Sequence, residues 1–484
     1  MVTIGCLLII QLPASVNNNH MKILFKLALQ SFMVTVMLAI GLSVFAQVSN
    51  SSDSILFHKL YNEALKNGET DMNLRYLTSR IGARISGSLQ AQQTVEWTKK
   101  VLAQYKPDSI YLQPVTVPHW VRGTKEISYY TVKGRRVRMD VAALGRSIST
   151  DGLLTAGVVE VRSWAELAAL PNKAVKGKFV FFNRAMDAGE IETFKAYLGA
   201  ADQRAQGAIA ASRRGAVGAL VRSLTPAKDD YPHTGAMSYD TAVPKIPAAA
   251  LSTNSADLLS DALKKDPSLH YTLRMHCVQL PDVQSYNVIA EIRGTKYPDE
   301  YVTVGAHLDT WDLSEGASDD GAGLVQAMEV LRLFRATALQ PERTVRIILY
   351  MNEEAGAHGA IEYAKQARLR NEKHIAVIES DAGGFAPRGF RIETTPEAMA
   401  RFQQWKELFI PYKAGDIQLQ QRGVDLVPMK EQATALISLD CDDSRLFYIH
   451  HSVLDTYDKI NPREVAMGAA TMAAMVALVS KYGL

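Results

Sequence analysis

Residues 301–334 read YVTVGAHLDTWDLSEGASDDGAGLVQAMEVLRLF. The run 301–306 is apolar and β-branched, which predicts a strand, and 322–334 carries the apolar spacing of a helix. Between them lies a stretch rich in Gly, Asp and Ser, the composition of a loop. Working outward, 286–292 predicts a strand before this segment and 344–351 one after it. A helix over 360–369 and a strand over 375–379 come next. Strand and helix alternating in this way predict an α/β fold with a mostly parallel sheet flanked by helices. The chain ends in an Ala- and Met-rich helix from Pro462. Its apolar run, 465–479, is broken by Gly468 and Thr471 and is short for a membrane span of ~20 residues, so a packing helix is expected.

Upstream the texture changes twice. Residues 54–106 read as largely helical, with Leu56, Leu60, Leu65, Val95, Val101 and Leu102 at helix-like spacing. A turn-rich linker over 78–88 interrupts them, and short strands are expected at 110–112 and 115–117. Residues 120–282 carry short strand-like runs at 153–161, 178–182 and 218–221. Pro244 and Pro247 sit at strand edges, where proline is tolerated. A separate, mainly β insert is expected there.

The formal net charge is +3, and no long basic run is interleaved with aromatics, so no nucleic-acid partner is expected. The cluster Arg135, Arg136 and Arg138 reads as a solvated turn. Met21, Lys22 and Lys26 precede an apolar stretch at 32–45, and Val44-Phe45-Ala46 has a small-x-small pattern. Residues 1–46 are therefore expected to be a cleaved leader. The mature chain would be exported, periplasmic or secreted, without stable membrane association. Cys6 falls in that leader. Cys277 and Cys441 remain and could pair in an exported protein, but two cysteines cannot staple a chain of this length.

Chemistry-bearing residues recur where the predicted strands end. His307 and Asp309 follow 301–306, and Asp319-Asp320 opens a helix. Glu353-Glu354 follows the next strand and Asp381 the one after. His450-His451 lies near the end. Each has an ordinary explanation taken singly: a satisfied polar group, a helix cap, a charged loop, a turn. Sites in open α/β sheets form at the carboxyl ends of strands. Acids and imidazoles gathered on that edge would repel unless cations neutralise them. Histidine and carboxylate donors suit zinc, and a bridging carboxylate would hold two ions.

The runs GAHLDTWDLSEGASDDGAG, NEEAG, IESDAGG and HHSVLDTYD resemble the family of co-catalytic zinc aminopeptidases and glutamate carboxypeptidases. In that family a protease-associated domain interrupts the catalytic domain. The resemblance thus implies catalytic segments at 47–119 and 283–484 around an insert at 120–282. It implies two zinc ions per subunit, with Asp319 bridging, His307 and Asp381 on one ion, and Glu354 and His451 on the other. Glu353 would be the general base, and Asp309 would hold the second nitrogen of His307. Asp320 would cap a helix rather than ligate. Many relatives have Tyr just before the last His ligand. Here His450 takes that place and becomes the candidate oxyanion donor. The implied activity is hydrolysis of dipeptides or short peptides, as carboxypeptidase, dipeptidase or aminopeptidase. Arg445, or Arg388, is the expected partner of a substrate carboxylate, and a homodimer is the assembly to test. A receptor-like protein without catalysis and a single-zinc glutaminyl cyclase are the rivals from other classes.

Overall fold

Val302, Val304 and Ala306, with Val345, Ile347, Ile348 and Leu349 beside them, are fully buried. Runs of this kind need cover on both faces, and a sheet between helix layers supplies it. A computed structural model describes residues 52–420 and 423–484. Phe57–Leu484 form one unit; of the other, Met1–Leu56, the described residues 52–56 are helical. The leader expected over 1–46 lies outside the described residues.

Strand β1 (Ser109–Val121) begins the first sheet. The chain then departs and builds a second sheet. Its strands are β2 (Ile127–Val132), β3 (Arg135–Arg138), β4 (Val141–Ala143), β5 (Leu154–Val161), β6 (Phe179–Phe182), β7 (Gly218–Arg222), β8 (Ala248–Leu251) and β9 (His270–Arg274). It returns as β10 (Val278–Ile292), antiparallel to β1 from Ser109 opposite Glu291 to Val121 opposite Val278. The first sheet is completed by β11 (Tyr297–His307), β12 (Arg343–Tyr350), β13 (Lys373–Glu379), β14 (Pro387–Thr394), β15 (Asp416–Leu419) and β16 (Ala433–Cys441).

Among the described residues the first sheet has the order β1-β10-β12-β11-β13-β16-β14-β15. Its centre, β12-β11-β13-β16, is parallel, while β1, β10 and β14 pair antiparallel with their inner neighbours. The sheet is therefore mixed, with the expected parallel part at its middle. One face is covered by helices Gly323–Ala336 and Pro462–Tyr482, which pack on each other. The second is buried along its length, as a packing helix should be. On the other face Ala360, Tyr363 and Ala364 of helix His358–Leu369 pack on Ile289, Ile348 and Tyr350.

The second sheet has the order β3-β2-β9-β5-β6-β7-β8-β4, and β5 to β8 are parallel. A mainly β insert was expected from its short strands. Parallel neighbours need crossovers, however, and helices supply them here. The longest is Thr193–Ser212, whose many Ala and Gly residues gave little periodic signal. The region is thus mixed α/β. Cys277 and Cys441 are free, buried thiols, so the pairing considered for an exported protein is not made.

Candidate metal centre

The parallel register decides which residues meet. His307 lies opposite Tyr350, Gly305 opposite Glu379, and Glu379 opposite Ser438, so β11, β12, β13 and β16 end on one rim. His307 closes β11 there. Asp319 lies in the tight turn Ala317–Ala322, and Glu353-Glu354 follow β12. Asp381 follows β13, and His450-His451 arrive from the loop after β16.

These residues converge. His307 Nε2 is 3.2 Å from Asp319 Oδ1 and 3.6 Å from Asp381 Oδ1. His451 Nε2 is 3.1 Å from Asp319 Oδ2 and 3.2 Å from Glu354 Oε2. Asp319 thus stands between two donor groups, one with His307 and Asp381, the other with the histidine pair; in each, the ligand atoms lie within 4.8 Å of one another. Both His307 Nε2 and Glu354 Oε1 are buried without a hydrogen-bond partner. Orphaned buried donors of N and O type, arranged around a shared carboxylate, fit a pair of divalent cations.

The protonation state of His307 can be read from its other nitrogen. Nδ1 lies 2.9 Å from the backbone carbonyl of Asp309, which can only accept, so Nδ1 carries a proton and Nε2 is the nitrogen turned to the rim. This corrects the expected role of the Asp309 side chain, whose Oδ1 is 3.8 Å from Nδ1. That carboxylate instead accepts the backbone N–H groups of Asn352 at 2.8 Å and Glu353 at 3.1 Å. It therefore fixes the loop that presents Glu353 and Glu354. Asp320 behaves as a cap: its Oδ1 accepts the Gly323 N–H at 3.0 Å and its Oδ2 the His307 N–H at 3.1 Å.

His450 stacks on His451 with ring centroids 3.6 Å apart, and its Nε2 is 3.5 Å from Asp319 Oδ2. Burial, with the His451 charge beside it, holds its pKa well below the ordinary value, so the ring is neutral. Glu353 is pushed well above the ordinary range by burial, with Asp381 and Glu354 adding to the effect.

Several functional residues gave no signal in the sequence. Arg84, fully buried, donates from Nε to Leu308 O at 2.8 Å, from Nη1 to Glu315 O at 2.7 Å and from Nη2 to Gly316 O at 3.1 Å. It props the loop between His307 and Asp319 from below. Asp455 accepts the backbone N–H groups of Ser318 at 2.7 Å and Asp319 at 3.0 Å. The second sheet also reaches the rim. Thr234 N–H donates to His451 O at 2.9 Å, and His233 Nδ1 donates to His450 O at 2.6 Å. Burial pushes the His233 pKa down to about 3, consistent with a neutral donor ring. At Gly235, φ +135°, a Cβ would come within 2.7 Å of His451 Nδ1, which shows how closely that backbone approaches the centre.

A cavity of about 450 Å³ opens on the rim and includes Asp319, Glu353, Glu354, Asp381, His450 and His451 in its wall. Arg445 does not line it. Its guanidinium pairs with Glu464 at 2.9 Å and lies over the Phe385 ring, because the short helix Leu446–Ile449 turns that side chain outward. Arg388 pairs with Asp442. Arg204, from the insert helix, lines the cavity instead.

Glu379 also lines the cavity, and its Oε1 accepts the Asp425 N–H at 3.1 Å. Glu379 Oε2 and both Asp425 oxygens are buried without partners. Burial, aided by Asp381 and Asp309, pushes the Asp425 pKa up to about 8. A carboxyl raised on folding adds stability below its unfolded value and loses it as pH rises through the folded value. Asp425→Asn is therefore expected to raise the melting temperature of the chelated protein strongly at pH 8 and only a little at pH 5, close to the unfolded value. Thermal unfolding at the two pH values checks this; equal destabilisation at both would refute it.

Comparison with known proteins gives the family. The profile of Peptidase family M28 matches residues 287–476. Carboxypeptidase Q of Xenopus laevis is 35% identical over 409 residues, spanning 84% of this chain and 85% of that protein. The crystal structure of a peptidase M28 precursor from Shewanella amazonensis SB2B is 31% identical with a TM-score of 0.84, covering 89% of this chain and 97% of that one. A zinc aminopeptidase from Bacillus subtilis, 17% identical with a TM-score of 0.61 over 85% of this chain and 94% of its own, shares the fold. Likeness of this extent to carboxypeptidase Q places the chain: it belongs to peptidase family M28 and is a metallopeptidase.

Proposed function

We propose that the protein is a di-zinc exopeptidase that hydrolyses dipeptides or short peptides, of carboxypeptidase or dipeptidase character. One observation carries this reading. Asp319, Glu354, Asp381 and His451 meet on one cavity wall, with Glu353 among them, and His307 reaches Asp319 and Asp381 from behind that wall. His307 and Asp381 would hold one ion, Glu354 and His451 the other, and Asp319 both. Bound there, the ions supply Lewis-acid polarisation and lower the pKa of water towards ~7. Glu353 takes the proton of the attacking water and returns it to the departing amine. His450, neutral and 3.5 Å from Asp319, donates to the developing oxyanion. The region built on the second sheet is read as the protease-associated domain, and the enzyme as exported after loss of residues 1–46.

A second reading, aminopeptidase, is favoured by Glu379, whose unpartnered Oε2 would suit a substrate ammonium group. A panel of dipeptides blocked at the amino or the carboxyl end, assayed with and without chelator, separates the two. The primary reading expects chelator-sensitive hydrolysis that needs a free carboxyl end, restored by zinc, with two zinc ions per chain by metal analysis. Hydrolysis indifferent to chelator would refute the metal centre. A requirement for a free amino end alone would select the second reading.

A further inference from the structure

The arginine cluster expected to be a solvated turn is instead strand β3 (Arg135–Arg138). The turn comes just before it, at Lys133 and Gly134, whose φ values are 48° and 75°. A two-residue turn of this hand folds β3 back on β2 as a hairpin, with Tyr129 opposite Arg138 and Thr131 opposite Arg136. Alternation sorts β3, β2, β9 and β5 into two faces. Tyr130, Ala156, Tyr271 and Leu273 point into the core. The opposite face carries Arg136 and Arg138, Tyr129, and Arg274 of β9 opposite Ile127. Lys178 crosses the same face, its chain 3.5 Å from where a Cβ on Gly157 of β5 would lie. No Asp or Glu occupies an outward position in these four strands. Arg136 and Arg138 are exposed. Among the described residues Arg136, Arg138 and Arg274 make no ion pair. The Arg136 guanidinium lies over the Tyr129 ring at 4.6 Å, and Arg274 Nε is buried without a hydrogen-bond partner.

Charges on an outermost strand also discourage pairing with other chains. That accounts for β3, the first strand of its sheet, but not for Arg274, which lies two strands further in, or for Lys178. Cations gathered on one face without acids call for a polyanion. Apolar side chains among them narrow the choice. Ile127, opposite Arg274, is 38% exposed, and Leu153, one residue beyond the Leu154–Leu273 pair, is 54% exposed. A polysaccharide would leave those two side chains in water. A lipid headgroup layer takes both kinds, its phosphates meeting guanidinium groups and its acyl boundary receiving Ile, Leu and the Tyr ring. The opposite edge of the sheet is β4, whose Ala143 carbonyl accepts the Thr234 hydroxyl beside His451. A surface met at β3 is thus at the far edge from the metal centre.

We propose that the outward face of β3, β2 and β9 docks the chain reversibly on an anionic phospholipid surface. Arg136, Arg138 and Arg274 meet the headgroup phosphates, and Ile127 and Leu153 enter the headgroup layer. The proposal goes beyond the exopeptidase reading and does not depend on it.

The test uses the full chain and vesicles of phosphatidylcholine, alone or with about one-third phosphatidylglycerol. Co-sedimentation is measured for wild type and for Arg136→Gln/Arg138→Gln/Arg274→Gln. A control, Lys365→Gln/Arg368→Gln/Arg370→Gln, makes the same charge change beside the first sheet. Melting temperature and dipeptide hydrolysis are followed alongside and should not change. Wild type is expected to bind the anionic vesicles at least about tenfold better than the neutral ones at low salt, and to be released as salt approaches ~0.5 M. Each arginine lost should weaken binding roughly fivefold, on the order of 100-fold for all three, while the control changes it by less than about threefold. Hydrogen exchange of wild type on anionic vesicles should slow across residues 127–138. Equal binding to both kinds of vesicle, or an equal loss in the control, would overturn the proposal. Protection confined to other segments would do the same. Binding to heparin with none to anionic vesicles would also overturn it and assign the face to a polysaccharide. Should the triple variant fail to fold, the wild-type vesicle contrast and its exchange map still decide.

Discussion

Glu353→Gln is expected to retain the wild-type metal content and melting temperature while losing turnover by about 10²- to 10⁴-fold. The side chain keeps its shape and its place on the cavity wall, and the backbone N–H to Asp309 is untouched. What disappears is an oxygen that can take up a proton and give it back. Glu353 is not in either donor group that meets around Asp319, so metal content should be unaffected. Single-turnover rates and metal analysis on the same sample check both halves. Activity within tenfold of wild type would remove Glu353 from proton transfer. Loss of zinc together with activity would make it a ligand instead.

Arg84→Met is expected to be the most damaging single change to stability, at about 3–5 kcal/mol. The guanidinium is fully buried and donates to three backbone carbonyls of the loop between His307 and Asp319. Burial lowers its pKa to about 10, against the pull of Asp320, Asp455, Asp309 and Asp319, so it stays charged at neutral pH. Methionine would fill much of the volume but leave three carbonyls unpaired and several carboxylates without their counter-charge. The melting temperature should fall by on the order of 5–10 °C. Arg84→Lys should recover little, because one ammonium cannot reach all three carbonyls in the same plane. A variant within about 1 kcal/mol of wild type would show that water or a rearranged loop replaces the guanidinium.

The two predictions divide along a line that runs through the whole protein. Glu353 could be found without coordinates because it follows an apolar strand directly, as do His307 and Asp381. Arg84 could not, since it lies in a turn-rich stretch more than two hundred residues from the carbonyls it holds. Asp309 shows how close a correct reading can come and still miss. The residue does fix His307, but through its backbone carbonyl, because the turn after β11 brings that oxygen to Nδ1 and sends the carboxylate under the Glu353 loop. Arg445 and Arg204 are the converse case. The first is near His451 in sequence and turned towards Glu464; the second is far away in sequence and touching it in space.

The sequence by itself determined the strand and helix order of the first sheet, the residues at its strand ends and the buried nature of the last helix. Hydrophobic period and run length are local, and parallel strands send their carboxyl ends to one rim whatever else the chain does. Tertiary structure alone decided the sheet's antiparallel edges, the helical content of the second region, the props Arg84, His233 and Asp455, and the arginine that faces the cavity. Each of these depends on which distant surfaces come to lie together, and packing of whole elements settles that rather than the pattern within any one of them.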